Sequence, residues 1–139
     1  MNNEDKQLLL KDLCARLPYK VKVQYLDLED NRLDSDIAMG VTLDGYKGMP
    51  TVDVFQYGFL IEKVKPFLRP ISSMTEEEQK EFVGFHCVNL CPIIIDEMLT
   101  LKDEIKMFDW LNEHHFDYRG LLEKGLAIEA PEGMYDIIR

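Results

Sequence analysis

Cysteine is scarce in this chain of 139 residues, which contains only Cys14, Cys87 and Cys91. An odd number of thiols excludes a framework in which every cysteine is paired within the chain. The first residues also lack the basic and then apolar order of a secretion signal. Because free thiols are typical of a reducing compartment, we expect a cytoplasmic protein whose fold needs no disulfide.

Long apolar runs are also missing, since no stretch approaches the roughly 18 apolar residues of a membrane-spanning helix. Hydrophobic residues make up 46% and charged residues 30% of the chain, which argues against disorder. A chain of this length can bury a core without a metal or a disulfide. We therefore expect a single domain over residues 1–139 that has no membrane partner.

Basic residues are few, with 16 Lys and Arg against 26 Asp and Glu and a formal net charge of −10. Such a surface argues against direct nucleic-acid binding, which depends on Lys and Arg contacts to phosphates. Residues 1–74 hold 10 basic and 11 acidic side chains, whereas residues 75–139 hold 6 and 15. We interpret this acidic C-terminal half mainly as solvated helix faces, with an acidic docking surface as the alternative.

The common motifs of catalysis are absent from the sequence. It contains no Gly-rich phosphate loop, no Gly-x-Ser-x-Gly elbow and no dense set of carboxylates at ligand spacing. The sequence therefore favours a non-enzymatic protein, and no cofactor is expected.

An N-terminal helix is predicted over residues 3–17. Asn3 is placed to cap it, and Cys14 is interpreted as a small buried residue on the flank of its apolar stripe. The residues of that stripe recur at helical spacing, namely Leu10, Leu13 and Leu17, and Leu9 widens it.

Two further helices are predicted in the C-terminal half. Thr75 and Glu78 form a capping box, which starts a helix over residues 76–87. A further amphipathic pattern predicts a helix over residues 103–115.

Asp117 is placed to cap a short helix over residues 118–124, which Gly125 would end. The apolar segment at residues 88–101 is compatible with a strand or a buried helix, because periodicity alone does not separate the two. If this segment were exposed, it would imply self-association, so a homo-oligomer stays possible.

Strand patterns occupy the middle of the chain, at residues 21–25, 37–43 and 51–57. The second pattern places four apolar residues on one face, namely Ile37, Met39, Val41 and Leu43. Residues 58–70 are interpreted as a strand end or a single turn that runs into a connector, because Pro66 and Pro70 limit any helix. The short connections favour an antiparallel meander.

The predicted fold class is α+β. It consists of an N-terminal helix, a three-stranded antiparallel meander, and C-terminal helices packed on one face of the sheet.

Three stretches carry a resemblance: DKQLLLKDLCARLPY at residues 5–19, KPFLRPISSMTEEE at 65–78, and WLNEHHFDYRGLLEKGLAIEAPEGMY at 110–135. Together they resemble a group of short proteins that prophages and mobile elements of Bacteroidetes encode. No activity or catalytic residue is established for that group. The resemblance therefore implies a bacterial cytoplasm and a phage or mobile-element setting, and no chemistry.

A metal site is one alternative for the C-terminal half, since His114, His115 and Asp117 offer donors that suit zinc, manganese or iron. Adjacent helix residues diverge by about 100°, however, so this spacing is poor for a single site. We interpret the histidines as the end of an apolar stripe near a helix C-terminus. A metal-dependent enzyme that uses these three residues stays the weaker hypothesis.

A second possible metal group contains His86, Cys87 and Cys91, which His114 or His115 could join through space. We interpret the two thiols as buried residues that flank an apolar segment. Only the folded chain decides whether these five side chains meet.

The leading functional hypothesis is a non-enzymatic accessory protein that binds an unknown protein partner. Its candidate interaction residues are Glu76, Glu77, Glu78, Trp110, His114, His115, Tyr118 and Arg119. Aromatic residues anchor interfaces only where they are accessible, so a buried Trp110 would lose its place in this hypothesis. The second hypothesis is an acidic mimic of nucleic acid that inhibits a DNA-handling enzyme.

Overall fold

The computed structural model describes residues 1–27, 29, 31–87 and 97–135, and it describes side chains for these residues except 83–87 and 97–101. The question of whether residues 88–96 form a strand or a helix therefore lies outside the described residues. The interpretation of Cys87 and Cys91 as buried thiols lies outside the described side chains as well.

The described residues form three α-helices and six β-strands. The helices are α1 (Asn3–Arg16), α2 (Glu76–Cys87) and α3 (Glu97–Glu113). The strands are β1 (Lys22–Asp27), β2 (Arg32–Tyr46), β3 (Met49–Val54), β4 (Tyr57–Leu60), β5 (Val64–Leu68) and β6 (Ile128–Glu129). None of the helices in this described part is both long and apolar enough to cross a membrane.

All six strands join one sheet in the order β4-β3-β2-β1-β5-β6. Neighbouring strands are antiparallel except for β5 and β6, which are parallel. The α+β class is confirmed, but a three-stranded meander understates this mixed sheet.

The stretch interpreted as a connector contains the end of β4, a 3-10 turn at Ile61–Lys63, and β5. Pro66 lies inside β5 and pairs with Val23 of β1. Strand β6 pairs only with Phe67 and Leu68 of β5. The pairing of β5 with β6 therefore needs no hydrogen bond from the backbone nitrogen of residue 66, so a proline fits there.

Helix α1 packs on the sheet through a stripe that differs from the predicted one. Its buried residues are Leu9, Asp12, Leu13 and Arg16, and their spacing of three and four defines one helix face. Cys14 lies outside this face and is exposed, so its prediction as a buried residue is wrong. The cap is Asn2 rather than Asn3, since the Asn2 side chain accepts a hydrogen bond of 2.7 Å from the Asp5 N–H.

The central core joins α1 to one face of the sheet and to the chain after α3. Besides Leu9 and Leu13, it contains residues of four strands and three later side chains, Leu121, Leu126 and Ala127. The apolar face predicted for β2 is not buried as a whole, since Met39 and Leu43 are 69% and 66% exposed, whereas Ala38 of the opposite predicted face is buried. For Met39 the cause is a shift in the pairing of β2 with β3 between Ala38 and Gly40, because such a bulge changes which face a residue occupies.

The predicted helix over residues 118–124 is absent, and residues 121–125 form turns. Gly120 has a φ of +76°, which a right-handed helix does not accommodate. Asp117 nevertheless acts as a cap, because its two carboxylate oxygens accept hydrogen bonds of 2.9 Å from the Leu121 and Leu122 N–H groups.

Candidate functional site

The end of β5 and the chain that leaves α3 are joined through the backbone of Arg69. The Arg69 N–H donates to the His115 carbonyl, and the Arg69 carbonyl accepts from the Asp117 N–H, both at 2.8 Å. His115 has a φ of +59°, which turns the chain sharply after α3. This junction places the C-terminus of α3 beside the N-terminus of α2.

The guanidinium of Arg69 is held by a paired contact with Glu78 on the first turn of α2. Its two terminal nitrogens donate to the two Glu78 carboxylate oxygens at 2.8 and 2.7 Å, and the group lies 4.2 Å from the centroid of the Phe116 ring. Hydrogen bonds from Arg69 and then the Thr75 backbone lower the pKa of Glu78 to about 2, against the opposing effect of burial. The predicted capping box is confirmed by reciprocal bonds between Thr75 and Glu78.

A cleft of about 820 Å³ opens between the start of α2, the end of α3 and residues 129–135. Five carboxylates line it, those of Glu77, Glu78, Glu81, Glu129 and Glu132. We call this cleft, with these five residues and Arg69, the acidic cleft. Five carboxylates against one guanidinium give it a strongly negative field.

The five carboxylates are not equivalent. Glu78 is bound to Arg69, and Glu81 accepts a hydrogen bond of 2.9 Å from the indole N–H of Trp110. Glu81 is exposed despite this bond, and Glu77, Glu129 and Glu132 are exposed too. Of the exposed carboxylates, Glu77, Glu129 and Glu132 are the ones that neither Arg69 nor Trp110 engages, so a ligand in the acidic cleft reaches them first.

No family model, curated protein or solved structure matches the chain.

Trp110 belongs to a stack of rings beneath the acidic cleft and is only 7% exposed. Its ring lies 4.1 Å from His114 and 5.7 Å from Phe116, centroid to centroid. The Nδ1 atom of His114 is 2.9 Å from the Trp110 carbonyl oxygen. Trp110 is thus a core residue, and its prediction as an accessible anchor is wrong, because its helical stripe faces inward.

His115 and Tyr135 form a second buried pair, with ring centroids 3.9 Å apart. Burial, and then the charge of Arg16, lower the pKa of His115 to about 3. The Tyr135 hydroxyl accepts from the Lys22 N–H and donates to the Phe67 carbonyl, both at 2.8 Å, so it bridges β1 and β5. Burial raises the pKa of Tyr135.

The residues of the proposed metal site serve separate structural contacts. His114 stacks on Trp110, His115 stacks on Tyr135, and Asp117 caps the following turn. Within the described residues, no group of three His, Cys, Asp or Glu side chains is placed to hold a metal. The side chains of residues 86, 87 and 91 lie outside the description.

Tyr118 and Arg119 contact a buried ion pair that the sequence reasoning missed. Asp12 and Arg16 are both fully buried, and two nitrogens of Arg16 donate to the two Asp12 oxygens at 2.9 and 3.1 Å. The Arg119 Nε atom lies 3.4 Å from the Asp12 Oδ1 atom. The guanidinium carbon of Arg16 lies 5.3 Å from the centroid of the Tyr118 ring. The available signal was the spacing of four residues between an acid and a base beside an apolar stripe.

Three of the candidate interaction residues line the acidic cleft, namely Glu77, Glu78 and His114. Glu76 is exposed on the first turn of α2 but lies outside the set that lines it. The charged residues of the cleft that lie outside the predicted set of interaction residues are Arg69, Glu81, Glu129 and Glu132. They come from distant segments, so no local pattern joins them.

We expect Glu78→Gln to lower the free energy of unfolding by about 1–3 kcal/mol at neutral pH, because it weakens charge-assisted hydrogen bonds to Arg69. The folded pKa is depressed, so the contribution of Glu78 is present above pH 4.5 and lost as the pH falls towards 2. Urea unfolding followed by the fluorescence of the single tryptophan measures this. Glu77→Gln is the matched control, and equal losses in the two variants would contradict the expectation.

Proposed function

We propose that the protein is a non-enzymatic binding protein whose acidic cleft receives a basic segment of a partner protein. The observation that carries this proposal is the placement of Glu77, Glu129 and Glu132 as exposed carboxylates around one cavity. Among the described residues that line the cavity, the guanidinium of Arg69 is the only Lys or Arg cation, and Glu78 already neutralises it. The remaining carboxylates favour cations supplied by a ligand.

The size of the acidic cleft supports a segment rather than a single ion. A volume of about 820 Å³ accommodates several side chains. The described donors do not converge into a group that holds a metal, whereas Lys and Arg residues spaced along a peptide can each reach a separate carboxylate.

The cellular setting belongs to the same proposal. The scarcity of cysteine supports a cytoplasmic location, and the resemblance of three stretches to Bacteroidetes prophage proteins supports a phage or mobile-element accessory role. The mimicry of nucleic acid has weaker support. It depends on an acidic run, namely Glu76, Glu77, Glu78 and Glu81. Two of these acids, Glu78 and Glu81, are engaged by Arg69 and Trp110 within the chain.

The test compares two variants that remove the same number of charges. The cleft variant replaces Glu77, Glu129 and Glu132 of the acidic cleft by Gln. The control variant replaces three exposed glutamates elsewhere by Gln, namely Glu4, Glu113 and Glu123. Binding of a library of Lys- and Arg-rich peptides is measured at physiological salt, and peptides in which Gln replaces every Lys and Arg are the neutral controls.

We expect the wild type and the control variant to select the same peptides, and the cleft variant to bind them at least about tenfold more weakly. Equal weakening in both triple variants would show attraction to overall charge alone and would overturn the proposal. Unchanged binding by the cleft variant would overturn it as well.

A further inference from the structure

A second cavity, of about 470 Å³, lies between the end of β1 and the turn that joins β3 to β4. Its lining contains four aromatic residues, Tyr25, Phe55, Tyr57 and Phe59. We call this cavity the aromatic pocket. It shares no lining residue with the acidic cleft, so an inference about it does not depend on the proposed function.

The aromatic pocket continues the core face of the sheet beyond the part that α1 covers. Tyr57 pairs with Val54 and Phe59 pairs with Val52, and both valines are buried. Directly paired residues share a face of the sheet, so the two aromatic side chains lie on that face. The ring of Phe59 lies 4.5 Å from that of Tyr25 on β1 and is tilted from it by 31°.

Phe55 occupies a position that folding stability does not explain. It begins the two-residue turn between Val54 and Tyr57, and its φ of +57° lies in the left-handed region. Two-residue hairpin turns favour Asn or Gly there, and a bulky side chain is strained. Phe55 is also 74% exposed, so burial offers little compensation for that strain. An exposed aromatic side chain beside a cavity is instead available to a ligand.

The pocket carries negative charge as well as aromatic faces. Its lining includes the carboxylates of Asp27, Glu29 and Asp36, and among the described residues that line it there is no Lys or Arg. The pKa of Tyr25 is raised, first by burial and then by the charges of Asp34, Asp36 and Asp27. The field of the carboxylates therefore acts inside the pocket, at the Tyr25 hydroxyl.

We propose that the aromatic pocket binds an organic cation, specifically an alkylated or quaternary ammonium group. Alkylation removes N–H donors from such a group, and the quaternary ion has none. The cation is attracted to the faces of aromatic rings, and nearby carboxylates add to that attraction. A bare metal ion requires converging oxygen, nitrogen or sulfur ligands, and the described residues provide no such group. The same chemistry occurs on a methylated lysine side chain and on free choline-like molecules.

The primary test is a titration of the isotope-labelled full chain with choline, followed by NMR shifts of Tyr25, Tyr57 and Phe59. The matched probe is dimethylbutanol, in which carbon replaces the charged nitrogen without a change of shape. We expect choline to bind at least about tenfold more tightly than this neutral probe. Equal affinities, or shifts that do not saturate, would overturn the proposal.

Two substitutions separate ligand binding from folding. Tyr57→Leu keeps apolar bulk but removes an aromatic face, and we expect it to weaken choline binding at least about fivefold. Tyr46→Leu is the control, because Tyr46 is 53% exposed on β2 and lies outside the pocket lining. Phe55→Asn should weaken choline binding while the Tm stays equal or rises, since Asn suits the left-handed position. A lower Tm with unchanged choline binding would assign Phe55 a purely structural role and contradict the proposal.

A further arm identifies the natural source of the ammonium group. A peptide that carries trimethyllysine is compared with choline and with the unmethylated peptide. Tighter binding of the methylated peptide supports a protein side chain, and equal or tighter binding of choline supports a small molecule. Preference for the unmethylated peptide would overturn the proposal. The triple Gln variant of the acidic cleft should retain choline binding, so a failure of the proposed function leaves this test intact.

Discussion

Asp12→Ala should lower the free energy of unfolding by about 3–5 kcal/mol, because it leaves a buried guanidinium without its counter-ion. Asp12 and Arg16 are both fully buried, and Arg16 also donates to the Phe116 carbonyl. Removal of the carboxylate also removes the ion-pair partner of Arg119, whose Nε atom lies 3.4 Å from the Asp12 Oδ1 atom. Arg16→Met should cost a similar amount, since it leaves the Asp12 carboxylate in the core.

The double variant Asp12→Leu, Arg16→Met tests whether these losses come from an unpaired charge. Because it removes both charges and keeps apolar volume, we expect it to be more stable than either single variant. Urea unfolding followed by Trp110 fluorescence measures all three, and Glu4→Ala on the exposed side of α1 should cost less than about 1 kcal/mol. Losses that simply add in the double variant would contradict this account.

The second large effect is a loss of stability as the pH falls below 6.5, which His115 produces. The unfolded chain takes up a proton at the ordinary pKa of 6.5, whereas the folded pKa is lowered to about 3. The unfolded state therefore binds more protons between these values, and stability falls with the pH throughout that window. The loss amounts to about 2 kcal/mol between pH 6.5 and 5, and to about 4 kcal/mol at pH 3.

His115→Asn should remove most of this slope, because Asn does not titrate and tolerates the φ of +59° at this position. Unfolding of the wild type and the variant is measured at about pH 6.5, 5.8 and 5, in the upper part of this window. Glu78→Gln is the control, since its own pH dependence lies below 4.5 and its slope in this range should match that of the wild type. An unchanged slope in the Asn variant would show that other groups cause the loss.

The prediction of helices succeeded where neighbouring residues supply the chemistry. Helix α2 begins at Glu76 because Thr75 and Glu78 exchange hydrogen bonds across a single turn. The helix that Asp117 was expected to cap is absent because of the φ of Gly120, and Asp117 instead binds N–H groups of the following turn.

The prediction of strands failed where pairing connects distant parts of the chain. Strand β6 has only two residues and exists because Ile128 pairs with Phe67. The exposure of Met39 follows from the pairing of β2 with β3, which its alternating pattern does not contain. Sequence periodicity reports which residues alternate, but the partner strand decides the register and therefore the buried face.

The candidate sites divide in the same way. The acidic excess and the run Glu76–Glu77–Glu78 are visible in the sequence, because charge and composition are local quantities. Glu77 lies some fifty residues from Glu129 and Glu132 in the sequence, yet all three line one cavity. They come together because of the backbone junction at Arg69. Likewise, the burial of Trp110 and the meeting of Tyr25 with Phe59 follow from packing. The chain's local chemistry set its helix starts, its caps and its charge, because these depend on neighbouring residues. Long-range packing created the cavities: the junction of Arg69 with the turn after α3 formed the acidic cleft, and the contact of β1 with the β3–β4 hairpin formed the aromatic pocket. Contacts between distant residues form only in the folded chain.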